Sequence, residues 1–245
     1  MSSLEEKLTV TRRLLESLLR SHHASRIAVA WTGGKDSTVV LDVWREVLRD
    51  VASPAEGFYP ASGVGLETGN LPAANPAVLA VNLDTGYKFP EILAFRDRWA
   101  AGWGLDLRVI RPGPEDIPVQ VAMDRLACCQ ALKVRPLRRA IEDLGIEVLL
   151  TGIRADENPS RTDTAHLEDR PGYLQANPIL DWTEMDVWAA TMARGLPYCE
   201  LYDQGYRSLG CVPCTAKSAP GFHERSGRDQ EKEARMAELR ALGYF

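Results

Sequence analysis

The chain has 245 residues, of which 45% are hydrophobic and 26% charged, and its formal net charge is −5 at pH 7. That composition is typical of a globular protein long enough for one α/β domain or two small ones, and we expect one domain with a tail. A net negative charge argues against the basic surface that nucleic-acid-binding proteins use, so the expected partner is a small molecule or a protein. The N-terminal stretch contains charges throughout and no apolar run of signal-peptide length, which predicts a cytoplasmic protein without a membrane anchor.

The first third of the chain alternates between helical and strand patterns. Leucines at helical spacing predict an amphipathic helix over residues 3–22, and a short apolar run predicts a buried strand over residues 27–30. A second helical pattern follows over residues 37–48. Residues 51–76 are rich in Ala, Gly and Pro, which predicts a surface insertion, either a lid or an oligomer contact.

The same rhythm continues along the rest of the chain. Strands are predicted over residues 77–83, 105–110 and 147–150, and helices over residues 90–103 and 128–144. Strands separated by helices predict an α/β fold with a twisted, mainly parallel sheet, whose ligands gather at the carboxyl ends of the strands. Residues 159–178 are predicted as a polar loop, Thr183 with Asp186 is expected to cap a further helix, and the charged tail predicts a terminal helix or partial disorder.

A glycine turn follows the first predicted strand, with the sequence Thr32-Gly33-Gly34-Lys35-Asp36-Ser37. Its glycines are adjacent, so it does not fit the phosphate loop of kinases and motor ATPases. Two glycines nevertheless let backbone N–H groups converge on an anion at a helix N-terminus. Lys35 adds a charge, Ser37 a hydroxyl, and Asp36 either a helix cap or a ligand for Mg²⁺. The alternative is an ordinary strand-to-helix turn with a solvated lysine.

Four of the five cysteines form two pairs, Cys128 with Cys129 and Cys211 with Cys214. In a reducing compartment such clusters indicate metal ligands or redox thiols more often than disulfides. Four thiolates suit tetrahedral zinc or an iron–sulfur cluster, and adjacent cysteines fit poorly to the knuckles of a zinc ribbon. The two pairs therefore point to an iron–sulfur centre, with zinc or redox thiols as alternatives. Cys199 fits no ligand pattern and is expected to be a buried structural thiol.

Several segments together carry a family resemblance. AWTGGKDSTVVL resembles the loop of the PP-loop, or N-type ATP pyrophosphatase, superfamily, in which Ser usually stands at the position of Thr32. NLDTGYKFPEILAFRDR, TGIRADENPSRT, PILDWTEMDVW and LYDQGYRSLGCVPCT resemble, in order, segments of sulfonucleotide reductases and of the ATP sulfurylase small subunit. The resemblance covers residues 25–216 and implies an adenine nucleotide alpha hydrolase-like fold, with a nucleotide domain over residues 1–224 and a tail over 225–245.

The resemblance also implies roles for individual residues. Thr32 to Ser37, including Gly33, Gly34, Lys35 and Asp36, would bind the phosphates of ATP and Mg²⁺, and Leu83, Asp84 and Gly152 would line the adenosine pocket. Arg154 and Arg161 would meet anionic groups. Cys128, Cys129, Cys211 and Cys214 would hold the 4Fe–4S cluster, and Lys133, one helical turn beyond Cys129, would stand between cluster and bound anion. The alternatives are a solvated Arg161, a solvent-facing Lys133 and an Asp84 that only forms a turn.

One departure from the resemblance bears on function. Sulfonucleotide reductases attack the sulfur of their substrate with a cysteine in a C-terminal ECGLH-like element, whereas here no cysteine follows Cys214. The leading hypothesis is therefore an ATP pyrophosphatase that adenylylates an acceptor for sulfur transfer, specifically in DNA phosphorothioation. Its expected partners are a cysteine desulfurase or DNA-modification subunits that supply the DNA contact, and a homodimer is left open. A divergent adenylylsulfate reductase and a non-catalytic nucleotide-binding subunit are the alternatives.

Overall fold

A computed structural model describes residues 2–52, 77–116, 120–219 and 221–244. Most of the predicted insertion over residues 51–76 lies outside these ranges. The described residues form six strands: β1 Ile27–Ala30, β2 Leu79–Leu83, β3 Asp106–Ile110, β4 Val148–Leu150, β5 Leu167–Arg170 and β6 Tyr173–Ala176. The α-helices are α1 Leu4–Leu18, α2 Lys35–Ala52, α3 Pro90–Trp103, α4 Arg125–Cys129, α5 Arg135–Leu144, α6 Glu184–Ala193, α7 Gln230–Ala234 and α8 Met236–Ala241.

The strands form one sheet in the order β3-β2-β1-β4-β6-β5. All neighbouring strands run parallel except the edge strand β5, which is antiparallel to β6. The predicted fold class, a mainly parallel sheet that is mixed at one edge, is therefore confirmed. In this order the chain reverses its direction of sheet growth between β1 and β4, so the loops that follow these two strands meet at one edge.

Both faces of the sheet are covered by helices. Side chains of β1 alternate between the faces: Ile27 and Val29 pack into the larger core with α1, α2, α3 and α6, while Ala28 and Ala30 pack against α5. Trp44 of α2 lies in the larger core and is fully buried. Such burial on both sides fixes the carboxyl ends of the central strands. Among the described residues, no helix is long and apolar enough to cross a membrane.

The prediction of a loop over residues 159–178 is wrong, because this stretch contains the β5–β6 hairpin. Gly172 turns the hairpin with φ +89°, and the Pro171-Gly172 pair that precedes β6 is a recognisable turn signal. The edge strand β5 has the sequence LEDR, whose charged residues mask a strand pattern. Thr183 caps α6 as predicted: its hydroxyl accepts the N–H of Asp186, whose carboxylate in turn accepts the N–H of Thr183.

The predicted helix over residues 128–144 begins earlier and is not uniform. Asp124 caps α4 by accepting the N–H groups of Leu126 and Ala127, and a π-helical turn, Gln130–Val134, joins α4 to α5. Insertions of this kind are frequent at functional sites, because they widen a helix and redirect its side chains. The tail is helical, as two short helices, and Met236 and Leu239 pack on Cys129.

Candidate functional site

The glycine turn connects β1 to the N-terminus of α2. Gly33 has φ +80°, a conformation that L side chains rarely adopt. Its Cα faces Ile92, so an added Cβ would lie 3.1 Å from Ile92 Cδ1. The N–H of Thr32 donates to Ser37 Oγ over 3.2 Å, which closes the turn onto the first turn of the helix. The backbone thus has the shape of an anion-binding turn at a helix N-terminus.

Behind this turn, two buried cations share two carboxylates. Lys35 Nζ lies 2.5 Å from Glu224 Oε1 and 3.2 Å from Asp36 Oδ2. Arg154 donates through Nε to Asp36 Oδ1 over 2.7 Å and through Nη2 to Glu224 Oε2. Lys35 is 2% exposed and Arg154 is fully buried. The solvated lysine that the bare motif allowed is therefore wrong.

The charges in this group stabilise one another. Burial alone would lower the pKa of Lys35, but the neighbouring carboxylates of Asp36 and Glu224 raise it above its ordinary value. Burial raises the pKa of Glu224, an effect that Lys35 and Arg154 oppose. The N–H of Lys35 donates to the hydroxyl of Tyr202 over 3.0 Å. The strongest donors at this helix N-terminus are thus already occupied by groups of the same chain.

A cavity of about 160 Å³ opens beside the turn at the carboxyl edge of the sheet. Sequence-predicted residues among its lining are Thr32, Gly34, Asp36, Ser37, Leu83, Lys133, Gly152 and Arg161. The other predicted site residues, Gly33, Lys35, Asp84, Arg154 and the four cysteines, do not line it. The structure therefore brings the two ends of the predicted nucleotide site to one cavity, while two of the expected anion-binding cations, Lys35 and Arg154, lie behind its wall.

Asp84, Arg161 and Lys133 are the residues for which the sequence left a second interpretation. Asp84 accepts the N–H of Gly86 over 3.1 Å, its Oδ2 also lies 3.2 Å from Arg111 Nη2, and it does not line the cavity. Arg161 is 5% exposed and donates to Glu157, and Lys133 is 9% exposed. The interpretations of Arg161 and Lys133 as solvated side chains are wrong.

The C-terminal segment, which we define as residues 221–244, supplies cavity residues that the sequence did not indicate. Arg225, Arg228 and Tyr244 line the cavity. Arg225 Nη1 donates to Glu157 Oε1 over 3.1 Å, and its Nε donates to Glu233 over 2.7 Å. A signal was available in the HERSGR stretch, where charged residues flank a serine and a glycine in a non-helical pattern. We predicted only a tail there, since charged runs usually lie on solvated surfaces.

The four paired cysteines line a second, smaller cavity next to the first. Cys128 and Cys129 end α4, and Cys211 and Cys214 flank a 3₁₀ turn that is held to Tyr87 by a 2.7 Å hydrogen bond from the Val212 N–H to the Tyr87 carbonyl. Residues distant in sequence thus reach one place, as predicted. Cys199 is 1% exposed in the main core, as expected of a structural thiol.

Four thiols are the donor set of an iron–sulfur cluster or of a structural zinc ion. Among the described residues, no three or more Cys, His, Asp or Glu side chains are grouped so that they could hold one metal ion. Zinc needs its four sulfurs to converge on one point at about 2.3 Å. In a 4Fe–4S cluster each cysteine binds a different iron, so the four sulfurs surround a wider volume. The four paired cysteines line one cavity and are the ligands that such a cluster would use.

Lys133 connects the two cavities, because it lines both. Its Nζ lies 5.2 Å from the ring centre of Tyr244. Burial alone would raise the pKa of Cys211, but Lys133 and Lys88 lower it to about 6, and Thr85 lies 3.3 Å from its sulfur. Lys88 and Lys133 therefore favour negative charge at Cys211, and both also line the first cavity.

Known proteins share parts of this sequence and this fold. The phosphoadenosine phosphosulfate reductase domain matches residues 26–217. A curated phosphoadenosine 5′-phosphosulfate reductase from Gloeobacter violaceus is 36% identical over 187 residues, which cover 71% of this chain and 76% of the relative. Among solved structures, the FMN adenylyltransferase of Candida glabrata with FAD and pyrophosphate superposes with a TM-score of 0.65 at 16% identity, covering 89% of this chain and 67% of that one.

A second solved structure shares the fold at lower similarity. The U34-tRNA thiolase of Methanococcus maripaludis, solved with its [4Fe-4S] cluster, superposes with a TM-score of 0.56 at 15% identity. The superposition covers 99% of this chain and 80% of the thiolase. At such identity the likeness concerns the fold alone, and it agrees with the predicted α/β architecture.

Proposed function

The chain belongs to the phosphoadenosine phosphosulfate reductase domain family, and on that premise we propose that it is an ATP pyrophosphatase of sulfur transfer. In this proposal it binds ATP with Mg²⁺, lets an acceptor attack the α-phosphate and releases pyrophosphate. The specific setting that we propose is DNA phosphorothioation. A cysteine desulfurase would supply sulfur and DNA-modification subunits would supply the DNA contact, since the chain itself carries a net charge of −5.

The observation that carries this proposal is the pair of buried cations at the helix N-terminus, beside a cavity without a thiol. The phosphates of a nucleotide would bind at the glycine turn. Lys35 and Arg154 lie directly behind this turn, where both contact Glu224. No cysteine lines the cavity among the described residues. A reductase needs a thiolate at the sulfur of its substrate, whereas adenylylation needs only positioning and charge neutralisation.

The proposed reaction is a displacement at phosphorus. An oxygen of the acceptor forms a bond to the α-phosphorus, the bond from that phosphorus to the bridging oxygen breaks, and pyrophosphate leaves with the electron pair. Thr32 and Ser37 would bind phosphate oxygens, Asp36 would help hold Mg²⁺, and Leu83 with Gly152 would border the adenosine. Lys35, Arg154 and Arg161 would stabilise the charge that develops on the leaving group.

Cys128, Cys129, Cys211 and Cys214 would hold the 4Fe–4S cluster. When bound, such a cluster supplies either a site for sulfur or a path for electrons. Lys133 would keep an anion stable between the two cavities, since it lines both of them. The same buried lysine would also favour the thiolate form of the cysteines beside it.

A divergent adenylylsulfate reductase is the second candidate, and the family membership is the observation that favours it. The cysteine quartet accompanies adenylylsulfate, not its 3′-phosphorylated form, in the reductases that this chain resembles. In that case an external thiol, or a cysteine of a partner, would attack the sulfur and displace AMP, and a second thiol would then release sulfite from the S-sulfo group, so that the two thiols end as a disulfide. A nucleotide-binding subunit without catalysis is the third candidate.

The test uses the full chain, purified without oxygen. We expect pyrophosphate release from ATP and Mg²⁺ that increases with duplex DNA and a cysteine desulfurase, and that falls by about 10²–10³-fold in Lys35→Ala. Lys217→Ala is the matched control, because Lys217 is exposed and does not line the cavity. Release of sulfite from adenylylsulfate in the presence of thioredoxin would instead support the adenylylsulfate reductase. Nucleotide binding without turnover would support the non-catalytic subunit.

A further inference from the structure

Glu224 engages the two buried cations as an oxyanion would. Each of its carboxylate oxygens meets a different cation: Oε1 lies 2.5 Å from Lys35 Nζ, and Oε2 accepts from Arg154 Nη2. A phosphate group recruits cations in the same way, through charge-assisted hydrogen bonds to neighbouring oxygens. Glu224 is 5% exposed, so the contact is shielded from water and weakened little by screening.

This contact keeps both cations away from the cavity. Lys35 and Arg154 do not line it, and the side chain of Lys35 is 1% exposed. The cavity measures about 160 Å³, whereas sites for ligands of nucleotide size commonly start at about 300 Å³. A nucleotide can therefore reach the cations only if the cavity enlarges and the carboxylate gives up its place.

We propose that Glu224 occupies the phosphate subsite when no nucleotide is bound, so that nucleotide binding displaces Glu224 together with its neighbours in residues 221–234. The inference rests on the proposed nucleotide site and adds its regulation. Glu224 is thereby an affinity-determining residue: the bound anion and the carboxylate compete for Lys35 and Arg154, and the apparent affinity is reduced by the fraction of enzyme in which Glu224 is seated.

The first part of the C-terminal segment, residues 221–234, is held mainly by ion pairs, whereas Met236 and Leu239 further along are buried against Cys129. Arg225 pairs with Glu157 and Glu233. Segments held mainly by such contacts open at a lower free energy than strands in the core. Withdrawal of Glu224 would also move Arg225, which lines the cavity, so the same motion that frees the cations enlarges the space for the ligand.

The test compares Glu224→Gln with the unmodified chain. Glutamine keeps the size of the side chain but removes the charge that competes with phosphate. We expect ATP with Mg²⁺ to bind about tenfold more tightly by calorimetry, a factor that corresponds to about 1.4 kcal/mol. Glu231→Gln is the matched control on the same segment, since Glu231 is 59% exposed and its carboxylate lies 3.8 Å from Arg125. This control should bind ATP as the unmodified chain does.

Two further measurements keep the outcome decisive if Glu224→Gln folds poorly. Glu224→Asp retains the charge on a shorter side chain that cannot reach both cations, and we expect it to bind ATP more tightly too, by a smaller factor. In the unmodified chain, ATP should increase deuterium exchange over residues 224–234. Unchanged or weaker binding in both Glu224 variants, or reduced exchange on ATP binding, would overturn the inference but leave the nucleotide site standing. Absence of nucleotide binding in every form would overturn both.

Discussion

The α-carbon of Gly152 rests directly on the backbone of Ser37. A Cβ built at position 152 would lie 2.7 Å from Ser37 N and 2.9 Å from the carbonyl carbon of Asp36. The contact exists because β1 and β4 are parallel neighbours, so the turns that follow them meet at the carboxyl edge of the sheet. Both partners are backbone atoms at the start of α2, and they cannot rotate aside as a side chain would.

Gly152→Ala should therefore disturb the glycine turn. We expect a loss of about 1–3 kcal/mol in the free energy of unfolding, typical of an overpacked site, and weaker nucleotide binding. Urea unfolding and calorimetry with ATP measure the two effects. The matched control is Gly102→Ala in α3, where an added Cβ meets nothing within 4 Å. This control should be stabilised slightly, because alanine favours a helix. Equal behaviour of the two variants would contradict the prediction.

The cysteine quartet gives a second prediction. Cys128→Ser and Cys211→Ser should each abolish the broad absorbance near ~400 nm and reduce the iron content from about four per chain, because each cysteine would bind its own iron. The measurements are absorption spectra and metal analysis after anaerobic purification. Cys199→Ala is the control, since Cys199 lies in the main core and should leave the iron content unchanged.

Zinc is the outcome that would contradict this cluster assignment. About one zinc per chain, absent from the Cys211 variant, would mean that the four sulfurs converge on a single ion. Retention of iron in both variants would instead mean that other ligands hold it.

The predicted helices and strands match the structure where local sequence signals and tertiary packing agree. The helix over residues 90–103 has the predicted bounds, because Pro90 favours its first turn and Gly104 ends it with φ +62°. The prediction for the β5–β6 hairpin failed because the edge strand β5 exposes its apolar Leu167, while Glu168 is largely buried in ion pairs with Arg170 and Arg240. A half-exposed edge strand shows little alternation of apolar and polar residues in its sequence. Its pairing with β6 depends on the rest of the sheet, which the local sequence does not reveal.

The candidate site was predictable in part for the same reason. The glycine turn and the cysteine pairs are local motifs, and their residue types indicate their chemistry. Glu224 is different: it lies 189 positions from Lys35, and nothing near it in sequence indicates a buried carboxylate. Only the folded chain brings it to Lys35 and Arg154, and the same holds for Arg225 on Glu157. Long-range ion pairs of this kind leave no spacing pattern to detect.

Glu157 should make the stability of the protein depend on pH. Burial alone would raise its pKa, but Arg161, Arg225 and Arg154 lower it to about 2, whereas a free glutamate titrates near about 4.3. Because the pKa is lower in the folded state, ionised Glu157 stabilises the fold at pH values above its pKa in the unfolded chain. This stabilisation is lost as the pH falls from about 5 toward 2. Urea unfolding between pH 7 and pH 3 should show the loss.

Glu157→Gln isolates this contribution. At pH 7 the variant should be less stable by about 3–5 kcal/mol, because Arg161 and Arg225 lose a buried partner. Its difference from the unmodified protein should shrink as the pH approaches 3. Glu238→Gln is the control: this exposed glutamate pairs, among the described residues, with Arg235 on the surface, so the control should follow the unmodified curve. A difference that stays constant over the whole pH range would show that Glu157 does not titrate as described.

Lys133 should couple the two cavities electrostatically. It lines both, and removal of its charge disfavours the extra electron of a reduced cluster, since the net charge around a cluster helps set its potential. In Lys133→Gln we expect a more negative midpoint potential in a redox titration followed by electron paramagnetic resonance, together with weaker binding of ATP. Arg135→Gln is the control, because Arg135 is half-exposed and pairs with Asp116. An unshifted potential with unchanged iron content would mean that Lys133 serves the nucleotide cavity alone.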